Sequence, residues 1–212
     1  YKLNMDPVEL RIKNYAEVHP VSKLPWTSKF LKECYTAGKE MIGWHKRPSI
    51  PRSLQENGML VGYGMAGGVF GAGRGNATVK AILKNDGTLI LQSAVSDMGP
   101  GTATTMVKVA AEVMQMPANK IKFQLGDTDF PPGPTQGGST TTSTLGSGVS
   151  IACEALKQAL KERARTIIPS FSTIAAEELG IADGYVKTKK DSQQKISFTE
   201  LLQKAGKPEI EV

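Results

Sequence analysis

The run from Gly126 to Gly148, GDTDFPPGPTQGGSTTTSTLGSG, constrains this chain more than any other stretch. It consists of glycine, proline, hydroxyl residues, two aspartates and Gln136, with Phe130 and Leu145 as its large apolar side chains. So little apolar surface makes neither a buried strand nor a buried helix, and the stretch reads as a long loop. Loops of this length inside a compact domain are usually functional or disordered. Ordering each residue costs roughly 1–2 kcal/mol in backbone entropy. A loop with so little to bury needs a ligand or partner to offset that cost. A long helix is expected to follow, from about Leu145 to Ile168. Val149, Ala152, Leu156 and Ala159 lie on its buried side, and Pro169 ends it.

A second segment repeats the design. Thr88–Val95 reads as a strand, Asp97-Met98-Gly99-Pro100-Gly101-Thr102 as a glycine loop, and 103–115 as a helix. Met106, Val109, Ala110 and Val113 mark the buried stripe of that helix, and Pro117 follows its end. In both places small residues let the backbone approach a ligand closely. Free N–H groups at a helix start favour anions. The hydroxyls of Ser139, Thr140, Thr141 and Thr142 add donors. Together the two loops suggest a pocket for a phosphorylated, polar cofactor. Plain capping, by Thr102 in one loop and by Thr142 or Ser143 in the other, accounts for either loop taken alone.

The rest of the chain frames these loops. Asp6-Pro7-Val8-Glu9 opens a helix: Asp6 caps it, Pro7 suits its first turn, and Glu9 completes a capping box. Val8, Ile12 and Tyr15 share one face of it. A second helix starts after Thr27 or Ser28, with Phe30, Leu31, Cys34, Tyr35, Met41 and Ile42 at helical spacing. HKRPSIPRSLQENG reads as a loop. The glycine-rich stretch from Met59 begins as a short strand. Thr78–Leu83 and Thr88–Val95 form a hairpin across Asn85-Asp86-Gly87. Ile121–Leu125 is a strand, and two short helices are expected near 171–179 and 197–205. Ser197 and Glu200 make the capping box of the second, with Ile196 and Leu201 as its staple. The expected fold is α+β, a mixed sheet with interspersed helices. Residues 1–57 form a helical lead-in and 58–212 the main domain.

Several functions are excluded or left without support. Gly62-Tyr63-Gly64-Met65-Ala66-Gly67 matches a dinucleotide fingerprint, but no helical stripe begins at its glycines. No Gly-Lys-Ser/Thr phosphate loop occurs. Cys34 and Cys153 lie far apart, and His19 and His45 stand alone, so no metal set and no nucleophile–histidine set is credible. Asp127 and Asp129 suit turn formation better than acid–base work. The net charge of +6 comes partly from KQALKERAR and KTKK, read as solvated faces; no aromatics interleave them, which argues against nucleic acid. No apolar run is long enough to span a bilayer, no signal peptide opens the chain, and its compartment (cytoplasm or periplasm) stays open. Without an initiator Met, the chain reads as a fragment or a processed chain.

In order along the chain, the motifs resemble those of molybdenum hydroxylase large subunits, the xanthine dehydrogenase and aldehyde oxidase family. DPVELRIKN resembles the family's DPxExRxKN helix, and DMGPGTATTMVKVAAEVM its D-[MI]-G-Q-G-x-x-T loop and helix. GDTDFPPGPTQGGSTTTSTLGSGV resembles its GDT segment and the small-residue loop that follows, and ISFTELL a segment further on. The resemblance implies a molybdopterin-binding domain within an oxidoreductase that hydroxylates aldehydes or N-heterocycles, with water as the oxygen source. It implies molybdopterin with molybdenum, in some relatives extended to a cytosine dinucleotide, and no protein ligand to the metal. Iron–sulfur and FAD groups would sit on other domains or subunits, which with the rest of the large subunit would be the partners. Carried over residue by residue, Met98, Gly99 and Pro100 and then Gly138, Ser139, Thr140, Thr141 and Thr142 would contact the cofactor. Gly67 and Gly68 would join them, and Phe70 would line the substrate. Pro100 replaces the family's glutamine, and the catalytic glutamate's segment has no counterpart here, so the piece alone is not expected to turn over. The alternative is a family-derived structural or interaction module that has lost molybdenum.

Overall fold

The computed structural model describes residues 2–26, 28–68, 70–71, 73–191 and 193–212. The chain divides into two compact units, Tyr1–Val69 and Phe70–Val212, each described here by itself.

In the first unit, α1 spans Pro7–Lys13. Asp6 Oδ1 accepts from the Val8 and Glu9 amides at 2.8 and 3.2 Å, as the sequence suggests. The reciprocal half of the expected capping box is not formed. Glu9 reaches instead to the Lys39 ammonium at 2.7 Å, on α2 (Leu31–Met41), and so ties the two helices. The interior is small: Val8, Tyr35 and Trp44, with Ile12, Leu31, Tyr63 and Met65 against them. Trp44 Nε1 donates to Asp6 Oδ2 at 2.8 Å, so one carboxylate serves both helix cap and core. Much of the apolar face expected for α2 is exposed, including Phe30, Met41 and Ile42. The segment expected to be a loop holds a hairpin, β1 (Gln55–Glu56) and β2 (Met59–Leu60). Asn57 and Gly58, at φ 51° and 76°, make the tight left-handed turn that a two-residue hairpin needs. Residues 61–68 carry no regular secondary structure and start no helix, which removes the dinucleotide reading. Tyr63 and Met65 bind this stretch to the first unit's core, and the division between units falls after it.

In the second unit, β3 (Lys80–Lys84) and β4 (Leu89–Gln92) form the expected hairpin, with Gly87 at φ 82°. α3 (Thr102–Met114) then crosses over, and β5 (Ile121–Gln124) returns parallel to β4. Ala81, Leu83, Leu89, Leu91, Ile121 and Phe123 are buried on the sheet. The chain's last strand, β9 (Glu209–Glu211), closes the order β5-β4-β3-β9 antiparallel to β3, so the sheet is mixed. Lys80 pairs with Glu211, and Lys84 with Glu209, across that edge.

Helix α4 runs Thr141–Ile167, one turn earlier than its apolar stripe suggests. Leu145, Val149, Cys153, Leu156, Leu160 and Ala164 carry its buried stripe, while Ala159 is half-buried. Fully burying a side chain the size of leucine contributes about 1.5–3 kcal/mol, so this helix and α3 anchor the unit.

The helix expected near 171–179 is absent. Single 3-10 turns at Pro169–Phe171 and Ala176–Glu178 lead into a three-stranded antiparallel sheet: β6 (Leu179–Ala182), β7 (Tyr185–Thr188) and β8 (Lys195–Ser197). Asp183-Gly184, at φ 54° and 78°, is its hairpin turn. Helix α5 (Phe198–Lys204) is capped as expected, Ser197 Oγ accepting from the Glu200 amide at 3.2 Å. Ile196 and Leu201 are buried together in the core cluster. The fold is α+β.

Candidate functional site

The two glycine loops lie in the second unit, each leading into a helix longer than eight residues. They are built differently. Before α3, Gly99 and Gly101 take φ of 112° and 80°, a backbone path that favours glycine. Asp97 holds that arch: Oδ1 accepts from the Gly99 amide at 2.8 Å and Oδ2 from the Thr102 amide at 2.9 Å. Thr102 is not the cap; it is the first helical residue and is buried. Met98 and Pro100 are exposed at the top of the arch, Met98 at 72%.

Before α4, Gly138 and Ser139 both take positive φ, at 59° and 55°. Thr140 stands at the cap position, but no side chain caps the helix. The amides of Gly138, Ser139, Thr141, Thr142 and Ser143 have no acceptor among the described residues. Part of the hydroxyl set expected to face a ligand is engaged with the chain itself. Thr140 Oγ1 donates to Gly137 O at 3.2 Å, and Thr141 Oγ1 to Thr135 O at 3.4 Å, with Thr141 buried. Ser139 and Thr142 are exposed. What this end offers is therefore mainly backbone N–H, at the positive pole of a long helix.

Two further contacts hold this end in place. Ser143 Oγ donates to Gly73 O at 2.8 Å, and Thr144 Oγ1 accepts from the Gly75 amide at 2.9 Å. A Cβ at Gly73 would come within 3.0 Å of Thr140 Cγ2, so the chain at Gly73 passes close to the loop. Gln136 Oε1 is buried with no partner among the described residues. Sequence reasoning singled out none of Asp97, Gln136 or Thr144. An aspartate two residues ahead of a glycine arch was the available sign for the first.

Gly67 and Gly68 belong to the first unit and Phe70 to the second. Gly67 lies in the first unit, where an added Cβ would be 2.6 Å from the Tyr35 hydroxyl, so close packing already requires glycine there. Gly68 has open space around it. Phe70 is 71% exposed and takes no part in a core. Cys153 is buried on α4, and that burial, followed by Glu154, pushes its thiol up to about 12, which removes it as a nucleophile. Among the described residues no group of His, Cys, Asp and Glu side chains suits a metal ion, and no helix is long and apolar enough to cross a membrane.

Amides without acceptors at a helix start favour an anion such as phosphate.

Comparison with known proteins identifies the family. The sequence matches the family described as the molybdopterin cofactor-binding domain over residues 37–212. It is 31% identical over 186 residues to the aldehyde oxidoreductase molybdenum-binding subunit PaoC of Escherichia coli K12, covering 87% of this chain and 24% of that protein. It is also 31% identical over 204 residues to an aldehyde oxidoreductase of Megalodesulfovibrio gigas, covering 86% of this chain and 20% of that protein. The chain thus spans about a quarter or less of the length of these curated relatives. In fold it resembles a Cu,Mo-CO dehydrogenase, with a TM-score of 0.66 at 18% identity, covering 100% of this chain and 30% of that one. Quinoline 2-oxidoreductase from Pseudomonas putida 86 gives 0.62 at 15% identity, with the same coverage. The chain belongs to the molybdopterin cofactor-binding domain family of molybdenum hydroxylase large subunits.

Proposed function

We propose that this chain is the part of a molybdenum hydroxylase that grips the anionic end of molybdopterin, through the amides of Gly138, Ser139, Thr141, Thr142 and Ser143. The observation that carries the reading is that these five N–H groups at the start of α4 have no acceptor among the described residues. Unpaired donors at a helix N-terminus favour a phosphate, and rigid backbone donors require little reorganisation on binding. Thr142 and Ser139 add exposed hydroxyls. Met98, Gly99 and Pro100 form a second, uncharged contact. Gly67, Gly68 and Phe70 are assigned by resemblance alone, the first two to the cofactor and Phe70 to the substrate side.

When bound, the molybdenum–pterin group would supply the redox chemistry, with water as the oxygen source. This chain's residues bind and orient it, and no catalytic base stands among the assigned positions. The parent would act on aldehydes or N-heterocycles, carry a molybdopterin or molybdopterin cytosine dinucleotide, and work beside iron–sulfur and flavin domains or subunits. The named relatives, two of them aldehyde oxidoreductases, favour aldehydes.

A second reading, a module that has lost molybdenum, draws on Pro100. Proline offers neither a side-chain donor nor an N–H where the family carries glutamine. Elemental analysis and pterin extraction of the complete large subunit separate the two readings. Molybdenum near one per subunit, with a released pterin, supports the first. Its absence from a host that loads a related enzyme overturns it. The 212-residue chain by itself is expected to show no turnover with an artificial electron acceptor.

A further inference from the structure

The two basic runs of the sequence, residues 157–165 and 187–190, come together in the second unit. Helix α4 packs on β6, β7 and the turn Ala176–Glu178, and the Lys189 amide, just past β7, donates to Glu178 O at 2.8 Å. On α4, Lys161 is 9% exposed and has no hydrogen-bond or ion-pair partner among the described residues. The charges that bear on it are those of Lys157, Lys189, Glu154 and Glu177. Lys157, one turn earlier, is held in place: its ammonium donates to Val113 O at 3.2 Å and to Glu154 Oε1 at 2.8 Å, so Glu154 is already engaged. Lys189 and Glu177 are exposed. Three ammonium groups thus stand against two carboxylates, and the most buried of the three lacks a counter-ion. An ammonium taken out of water and left unpaired is costly, and like charges beside it add to the cost.

We propose that Lys161, with Lys157 and Lys189, binds a small tetrahedral oxyanion, phosphate or sulfate. Such an anion gives the Lys161 ammonium the charged acceptor it lacks and offsets the repulsion among the three lysines. Its several oxygens can accept from more than one ammonium at once, which a chloride ion in the surrounding solution does not match. Lys161 lies 20 residues along α4 from Thr141, roughly 30 Å by the helical rise. The site is therefore separate from the loops assigned to the cofactor, and it stands or falls independently of that reading.

The test is thermal melting and amide NMR of the whole chain at pH 7 with inorganic phosphate, and separately with sulfate, at an ionic strength held constant with sodium chloride. In the wild type, either anion should raise the melting temperature and shift the amides of Lys157–Lys161 and Lys189. Lys161→Met removes the unpaired charge and keeps a long apolar stem, so it should fold. Its binding at these positions should be weaker by about tenfold or more, the loss of one charged hydrogen bond. Lys189→Ser, a change at an exposed position, should keep the fold and also weaken binding. Wild-type amides at 157–161 and 189 that do not move would overturn the proposal, as would movement confined to Gly138–Ser143. A Lys161→Met response equal to that of the wild type would overturn it too. If sodium chloride alone reproduces the shifts, the lysines are screened rather than occupied, and the proposal falls.

Discussion

At the scale of single residues, close packing and buried charge decide most. Gly133 lies in the long loop, where an added Cβ would sit 2.9 Å from Ser93 Oγ and 3.0 Å from both Ala94 O and Val95 Cβ. One of those neighbours is backbone of the segment after β4 and cannot yield cheaply. Gly133→Ala is expected to destabilise the chain by about 1–3 kcal/mol, the usual cost of overpacking. Urea unfolding measures it, and an unchanged midpoint would show that the loop is free to move away. Lys161 belongs to a basic run that reads as a solvated face, yet it is 9% exposed and has no hydrogen-bond or ion-pair partner among the described residues. Burial, then the charges of Lys157 and Lys189, hold its ammonium below the ordinary lysine range. The folded chain therefore binds this proton less tightly than the unfolded chain. The resulting destabilisation is present in full below the folded value and fades as pH rises to the ordinary 10.5. Lys161→Met is expected to raise the melting temperature at pH 7, and its advantage to shrink toward pH 10.5. An equal advantage at both pH values would assign the gain to packing instead.

At the scale of elements, the hydrophobic stripe of α4 and the caps of the short helices carry the fold. Leu156 is fully buried midway along α4, among residues of both sheets and α3. Leu156→Ala is expected to cost about 2–5 kcal/mol, removing a side chain and leaving a cavity. A loss under about 1 kcal/mol in calorimetry would mean the site collapses around the gap. Legibility in the sequence followed the strength of local signals. Asp6 and Ser197 were readable as caps because a short polar side chain before an apolar run bonds the first amides whatever surrounds it. The β3–β4 and β5 strands were readable from β-formers around Asp86-Gly87. The β6–β7–β8 sheet was missed because Glu177, Glu178 and the alanines before them favour helix. The Asp183-Gly184 turn and pairing between strands override that preference.

At the scale of the molecule, the two units differ in how much they bury. Residues 70–212 share one extended core running through both sheets, α3, α4 and α5. Among the described residues, 1–69 enclose only Val8, Tyr35 and Trp44 as buried apolar residues, and they expose Val21, Leu24, Phe30, Met41, Ile50 and Met59. Hydrogen exchange is therefore expected to be markedly faster for α1 and α2 amides than for those of α3 and α4, since local stability tracks buried apolar contact. Equal protection in both would mean that residues 1–69 draw stability from contacts beyond their own small core.

The sequence alone determined the ordered motifs that place this chain in its family, the glycine arches, and the helix that follows each. Those depend on local chemistry: which residues tolerate positive φ, which cap, and which leave a loop too polar to bury. Only the tertiary structure decided where the short polar side chains of the two loops find their partners. Asp97 folds back onto the amides of Gly99 and Thr102, while the hydroxyls of Thr140 and Thr141 turn to carbonyls of their own loop. Periodicity and composition do not show where a short polar side chain finds its partner, because that depends on a backbone path a few ångströms long.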